Sequence, residues 1–121
     1  MPAEIRHIVF SNDEVLEAVR AFQQRERQPL SVGTVTRFEL VECKGEVQLT
    51  LEVTAERNRE RQRITLERER LAAALISLCL ARKIPLPLAA PKVCRLLWGR
   101  AALVMGLNVP PEHFGKLATL L

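Results

Sequence analysis

An α+β fold, a small antiparallel sheet with helices packed on one face, is predicted for this 121-residue chain by three observations. Leu71 to Ala81 is apolar at every position but Ser77, which reads as a core helix. Val47, Leu49, Leu51 and Val53 alternate with Gln48, Thr50, Glu52 and Thr54, the period-two pattern of a strand with one buried face. Ser11 stands before Glu14 at capping-box spacing, at the head of an amphipathic helical repeat.

The elements follow in order. Ile5 to Phe10 is β-prone and reads as a first strand. Ser11 and Glu14 then cap a helix whose entry is stapled by Phe10 and Val15. Val15, Leu16, Ala18, Val19 and Phe22 fall on its apolar face, and Glu14, Glu17, Arg20, Gln23 and Gln24 on the other; it ends before Pro29. Thr34 to Glu42 and Glu46 to Thr54 form a hairpin around Lys44-Gly45. That turn sets Leu40 opposite Leu49, Phe38 opposite Leu51 and Thr36 opposite Val53, with Arg37 opposite Glu52 on the other face. A slip of one residue would mix the faces, so the pattern supports this register.

The stretch from Ala55 to Arg70 interleaves Arg57, Arg59, Arg61, Arg63, Arg68 and Arg70 with Glu56, Glu60, Glu67 and Glu69 and reads as solvated. As a continued strand it would set its first four arginines on one face; as a helix it would scatter them. Thr65 is the expected N-cap of the central helix, with Glu67 and Glu69 complementing the positive end of its dipole. Pro85 disfavours helical geometry at Ile84, so the helix stops near Arg82 or Lys83. With no polar face, this helix should be wrapped on all sides by the rest of the chain. Its apolar run is far shorter than the roughly 20 residues of a membrane span.

Ile84 to Pro91 reads as an extended, proline-stiffened connector. Lys92 to Leu97 and Ala101 to Met105 read as a second hairpin turning at Gly99-Arg100 in type II′ geometry. Pro110 and Pro111 open a short C-terminal helix carrying Phe114, Leu117, Leu120 and Leu121. The order is β-α-β-β-α-β-β-α, which is the ferredoxin-like βαββαβ order plus an extra C-terminal strand and short helix. Residues 1–121 are read as a single α+β domain.

Hydrophobic residues make up 48% of the chain and charged residues 26%, enough for one real core. Glu4 and Arg6 interrupt any secretory leader, so residence in the cytoplasm is expected. Cys43, Cys79 and Cys94 are odd in number and form no CxxC pair, so free thiols are expected. No GxSxG, P-loop or GxGxxG motif is present, and His7 and His113 stand at no ligand spacing. Glu112-His113 reads as a solvated pair. Cys43, beside Lys44 but flanked by Glu42 and Glu46, reads as an inert thiol. A non-catalytic chain with no metal, cofactor or small-molecule substrate is therefore expected.

Two binding classes remain. Nucleic acid is the alternative, through Arg57, Arg59, Arg61 and Arg63 at the head of segment 57–70, since guanidinium contacts phosphate bidentately and the net charge is +4. Interleaved glutamates oppose it. The helix that follows lacks the heptad seam of a bZIP protein, and Val47 to Val53 lacks the aromatics of an RRM sheet. The leading reading is a cytosolic interaction module that binds another protein and self-associates as a homodimer. It rests on apolar residues in surplus of one small core, namely Leu86, Leu88, Trp98, Phe114, Leu117, Leu120 and Leu121.

Overall fold

A computed structural model describes residues 2–87, 89–110 and 112–114. The elements are β1 (Glu4–Val9), α1 (Asn12–Arg25), β2 (Gly33–Cys43), β3 (Glu46–Ala55), β4 (Arg61–Leu66), α2 (Arg68–Ala81), β5 (Lys92–Leu97) and β6 (Arg100–Leu107). A helical turn follows at 112–114. The class is α+β, but the strands do not assemble into the single ferredoxin-like sheet that the element order suggests. They divide into two antiparallel three-stranded sheets, β1-β6-β5 and β2-β3-β4. The cause is β4. The arginine-rich stretch takes the free edge of β3, from Thr54↔Arg61 to Leu49↔Leu66, and so completes a local meander. β1 pairs instead with β6, from Glu4↔Leu107 to Val9↔Ala102.

Local chemistry explains each helix boundary. The Ser11 N–H donates to Glu14 Oε1 at 2.9 Å and the Glu14 N–H to Ser11 Oγ at 3.1 Å, so the expected capping box is present. These bonds from Ser11, helped by Arg82, hold the Glu14 carboxyl below the usual carboxylate range. The N-cap of α2 is Glu67 rather than Thr65, because Thr65 is still paired with Thr50 in β4 and Leu66 is buried opposite Leu49. Both helices end in Schellman geometry: Gln28 N–H bonds the Gln23 carbonyl at 2.9 Å, and Ile84 N–H the Cys79 carbonyl at 2.8 Å. Arg27 and Lys83 take the left-handed position there, at φ 60 and 58, where glycine is usual.

The β2–β3 hairpin keeps the expected pairs Leu40↔Leu49, Phe38↔Leu51 and Arg37↔Glu52. Val35, not Thr36, lies opposite Val53, because an irregularity between Val35 and Arg37 sets Thr36 out of the ladder. In the second hairpin the turn is Trp98-Gly99, both at positive φ as in type I′, in place of Gly99-Arg100. The two turns differ by a two-residue shift, which leaves every side chain on the same face, so alternation cannot distinguish them.

The main core joins both sheets to the helix pair, with Phe10, Val19, Leu49, Leu51, Leu66, Leu71, Leu75 and Leu103 all 2% exposed or less. The helices run antiparallel. Arg82, after α2, pairs with Glu14 at 2.8 Å and with Glu17, while Arg70 near the start of α2 lies 5.4 Å over the Phe22 ring. The wrapping of α2 is incomplete: Leu80 is 55% exposed and Ala73 also faces solvent, because two sheets and one helix cover only part of its circumference. β6 is the central strand of its sheet and is buried from Ala101 to Gly106. A smaller cluster of Val104, Val109 and Phe114 covers that sheet's far face.

Candidate functional site

Two places on the surface gather what a binding protein could use. The first is the β5–β6 turn. A non-glycine residue at positive φ costs of order 1 kcal/mol, and Trp98 sits there at φ 55 with 83% of its surface exposed. The turn end of this hairpin is held to the other sheet. Arg95 Nε donates to Glu42 Oε2 at 2.8 Å, Arg95 Nη2 to Oε1 at 3.2 Å, and the Leu96 N–H to Oε2 at 3.1 Å. Glu42 is thus a fixed carboxylate clamping β5 to the end of β2, two residues from the exposed tryptophan. The Arg95 guanidinium, with the Leu96 N–H, holds its carboxyl below the usual range.

A group whose pKa is lowered by folding contributes stability above its unfolded pKa and loses it as pH falls through the folded one. Glu42→Gln is therefore expected to cost about 1–2 kcal/mol near neutral pH, because it replaces charge-assisted bonds with neutral ones. The gap between wild type and variant should close as pH falls below about 4. Thermal unfolding followed by circular dichroism from pH 7 to about pH 3 checks this. A gap that is constant with pH would show that the carboxylate charge is not what holds the hairpin.

Of the seven apolar candidates, Trp98 is the one whose side chain stands mainly in solvent among the described residues. Leu86 is half-buried against the core and Phe114 is buried over Gly106. Leu88, Leu117, Leu120 and Leu121 lie outside the described residues.

The second place is the edge of β4. Arg57 and Arg59 lie in the β3–β4 loop, and Arg61 and Arg63 point outward from the strand; all four are exposed. Arg63 Nε is 3.8 Å from Glu52, whereas Arg57, Arg59 and Arg61 make no ion pair with a described residue. The connector between α1 and β2 lies along this edge. Gln62 accepts from the Ser31 N–H at 2.8 Å and donates to the Pro29 carbonyl at 3.4 Å, and the Glu56 N–H bonds the Val32 carbonyl at 3.0 Å. Arg20 donates to the Ser31 carbonyl at 3.4 Å. The connector is thereby laid against the inward face of β4, opposite the face that carries Arg61 and Arg63, an association across some thirty positions that no sequence spacing announces, while Arg25 lines a hollow with Ala73 and Ser77 of α2.

The other reactive groups are dispersed. His7 and His113 are exposed, and among the described residues no three His, Cys, Asp or Glu side chains gather as a metal site would require. Cys79 and Cys94 are buried, and burial pushes the Cys94 thiol up to about 12, which suppresses the thiolate that reactivity needs. Cys43 is exposed at the β2–β3 turn. Among the described residues no helix is long and apolar enough to cross a membrane. Comparison with protein-family models, with curated proteins and with solved structures finds no match.

Proposed function

We propose that this chain is a non-catalytic cytosolic interaction module that docks protein through the β5–β6 turn, with a second copy of itself as the first partner. The observation that carries the reading is Trp98, held 83% exposed at the tip of a hairpin that Glu42 clamps just below its turn. A tryptophan on a rigid support loses little entropy when it is covered, which is why Trp anchors so many interfaces. Net charge does not oppose self-contact. Outside residues 20–32 and 55–65 the chain carries eleven acidic and eleven basic residues, so copies meeting at the turn face no net repulsion. Free thiols at Cys43, Cys79 and Cys94 fit a reducing compartment.

The magnitude sets the conditions of the test. Covering an indole removes roughly 150–250 Å² from water, or about 4–6 kcal/mol. Two indoles, less an association cost of about 4–15 kcal/mol, give at best a micromolar to millimolar dimer. Sedimentation equilibrium up to about 1 mM should show a reversible monomer–dimer equilibrium, and Trp98→Ala should weaken it at least tenfold with helical circular dichroism unchanged. A wild type that stays monomeric over that range, or a Trp98→Ala variant that dimerises equally well, would contradict the reading.

A further inference from the structure

We infer that the open edge of β2 is the rest of the self-contact: two copies pair their β2 strands antiparallel about a two-fold axis at Phe38 and join their β2-β3-β4 sheets into one. This rests on self-association through the Trp98 turn and names the surface that continues it. β2 is the longest of the four edge strands, with 11 residues against 6 each for β1, β4 and β5, and among the described residues only β3 pairs with it. A long open edge offers its backbone donors and acceptors to another strand. Cys43 and Glu46 flank a two-residue turn and so form a hydrogen-bonded pair, as do Val41↔Gln48, Glu39↔Thr50 and Arg37↔Glu52 in turn. The N–H and C=O groups of Phe38 and Leu40 therefore face the open side.

The side chains select the partner and the register. Arg37 and Glu39 stand exposed on the outer face of β2 and form an ion pair at 2.6 Å along their own strand. In an antiparallel pair of identical strands the inner faces stay together only when odd positions meet odd and even meet even. An axis at Arg37 would set Arg37 against its own copy, and an axis at Glu39 would do the same with Glu39; like charges directly opposite are destabilising. An axis at Leu40 brings no opposite charges together. An axis at Phe38 sets Arg37 opposite the partner's Glu39 and Glu39 opposite the partner's Arg37, at non-hydrogen-bonded positions where facing side chains lie closest. This edge is complementary to itself in that one register.

Exposed apolar surface follows the same symmetry. Of the four large apolar side chains exposed among the described residues, Val32, Val41 and Trp98 all lie on or beside β2. Val32 stands just before its start, Val41 near its end, and Trp98 beside that end through the bond from the Leu96 N–H to Glu42. Antiparallel pairing lays the start of one strand along the end of the other, so Val32 of each copy approaches the indole of the other. One axis thus covers both tryptophans. The half-buried Phe38 and Leu40 on the inner face lose exposure as well. The irregularity at Thr36 keeps the ladder short, as suits a reversible contact.

Sedimentation equilibrium up to about 1 mM compares the wild type with Arg37→Glu, with Glu39→Arg and with the two substitutions combined in one chain. Each single substitution sets like charges together at both crossings and should weaken the dimer roughly tenfold, while the combined variant, and a mixture of the two single variants, should recover it to within about threefold. The cost of a carboxylate opposite Glu52 is common to Arg37→Glu and the combined variant, so recovery reads the contact between copies. A nitroxide on Cys43, the exposed thiol, lies five positions from the axis in each copy, and pulsed electron paramagnetic resonance should place the two labels about 34 Å apart. A wild type that stays monomeric overturns the self-association reading and this inference with it. A dimer that Trp98→Ala weakens but Arg37→Glu does not overturns the inference alone. So does a combined variant that fails to recover, or a label separation well short of that value, as for turns meeting tip to tip.

Discussion

Leu75→Ala is expected to lower the stability of the fold by about 2–5 kcal/mol, the largest loss foreseen for any single truncation here. Leu75 is fully buried in α2 and belongs to the cluster that joins this helix to α1 and to both sheets. Removing its side chain forfeits the transfer free energy of the lost methyl and methylene groups and leaves a void that four packed layers cannot all relax into. For a chain of this size the loss lowers the thermal midpoint by roughly 10 °C or more. Leu80→Ala, five residues on in the same helix but 55% exposed, should change stability by no more than about 0.5 kcal/mol. Differential scanning calorimetry of the two variants checks the orientation of α2. Equal losses would mean that Leu80 is covered, or that Leu75 is not.

Gly33→Ala is the second large effect. A Cβ at Gly33 would lie 1.9 Å from the Thr54 carbonyl oxygen and 2.9 Å from the Ala55 Cα, both of them backbone atoms. Neither can swing aside as a side chain would, so the start of β2 must leave its pairing with the end of β3, where Gly33 faces Ala55. Overpacking of this kind costs about 1–3 kcal/mol. Opening should be local, and hydrogen exchange should quicken at Thr34 and at Glu56, whose N–H bonds the Val32 carbonyl, before it does at Leu49. Protection that is unchanged at those amides would show that the two strands are not in this register.

What was legible in the sequence is what local chemistry decides. The Ser11–Glu14 capping box, the three hairpin pairs from Arg37 to Leu40 and the end of α2, expected near Arg82 or Lys83 and found at Ala81, all follow from neighbours in the chain. β4 was hidden because its inward face offers only Ile64 and Leu66 while its outward face carries Arg61 and Arg63, a composition that reads as solvent-facing. It is a strand because β3 had an unpaired edge, and that is a tertiary fact. Once β4 exists, Thr65 cannot cap α2, and one sheet becomes two. The Trp98-Gly99 turn escaped for a different reason, since a two-residue shift preserves every face.

The candidate sites divide along the same line. Trp98 was visible as the lone tryptophan at a turn and Arg57 to Arg63 as a charged run. The Glu42 clamp joins residues 53 positions apart, and the bond from the Ser31 N–H to Gln62 joins residues 31 apart. Phe114 looked like surplus apolar surface from its C-terminal position, yet it is spent on the second core beside Val104 and Val109.

Trp98 is the chain's single tryptophan, so its emission reports the proposed contact without a label. Fluorescence spectra with acrylamide quenching, recorded over dilutions from about 1 µM to 1 mM, bracket the affinity range expected for two covered indoles. Self-docking through the β5–β6 turn predicts a solvated, fully quenchable indole at low concentration that moves to shorter wavelength and loses quenching as concentration rises. Emission and quenching that stay those of a solvated indole throughout would contradict the claim that this turn is where the protein meets its own copy.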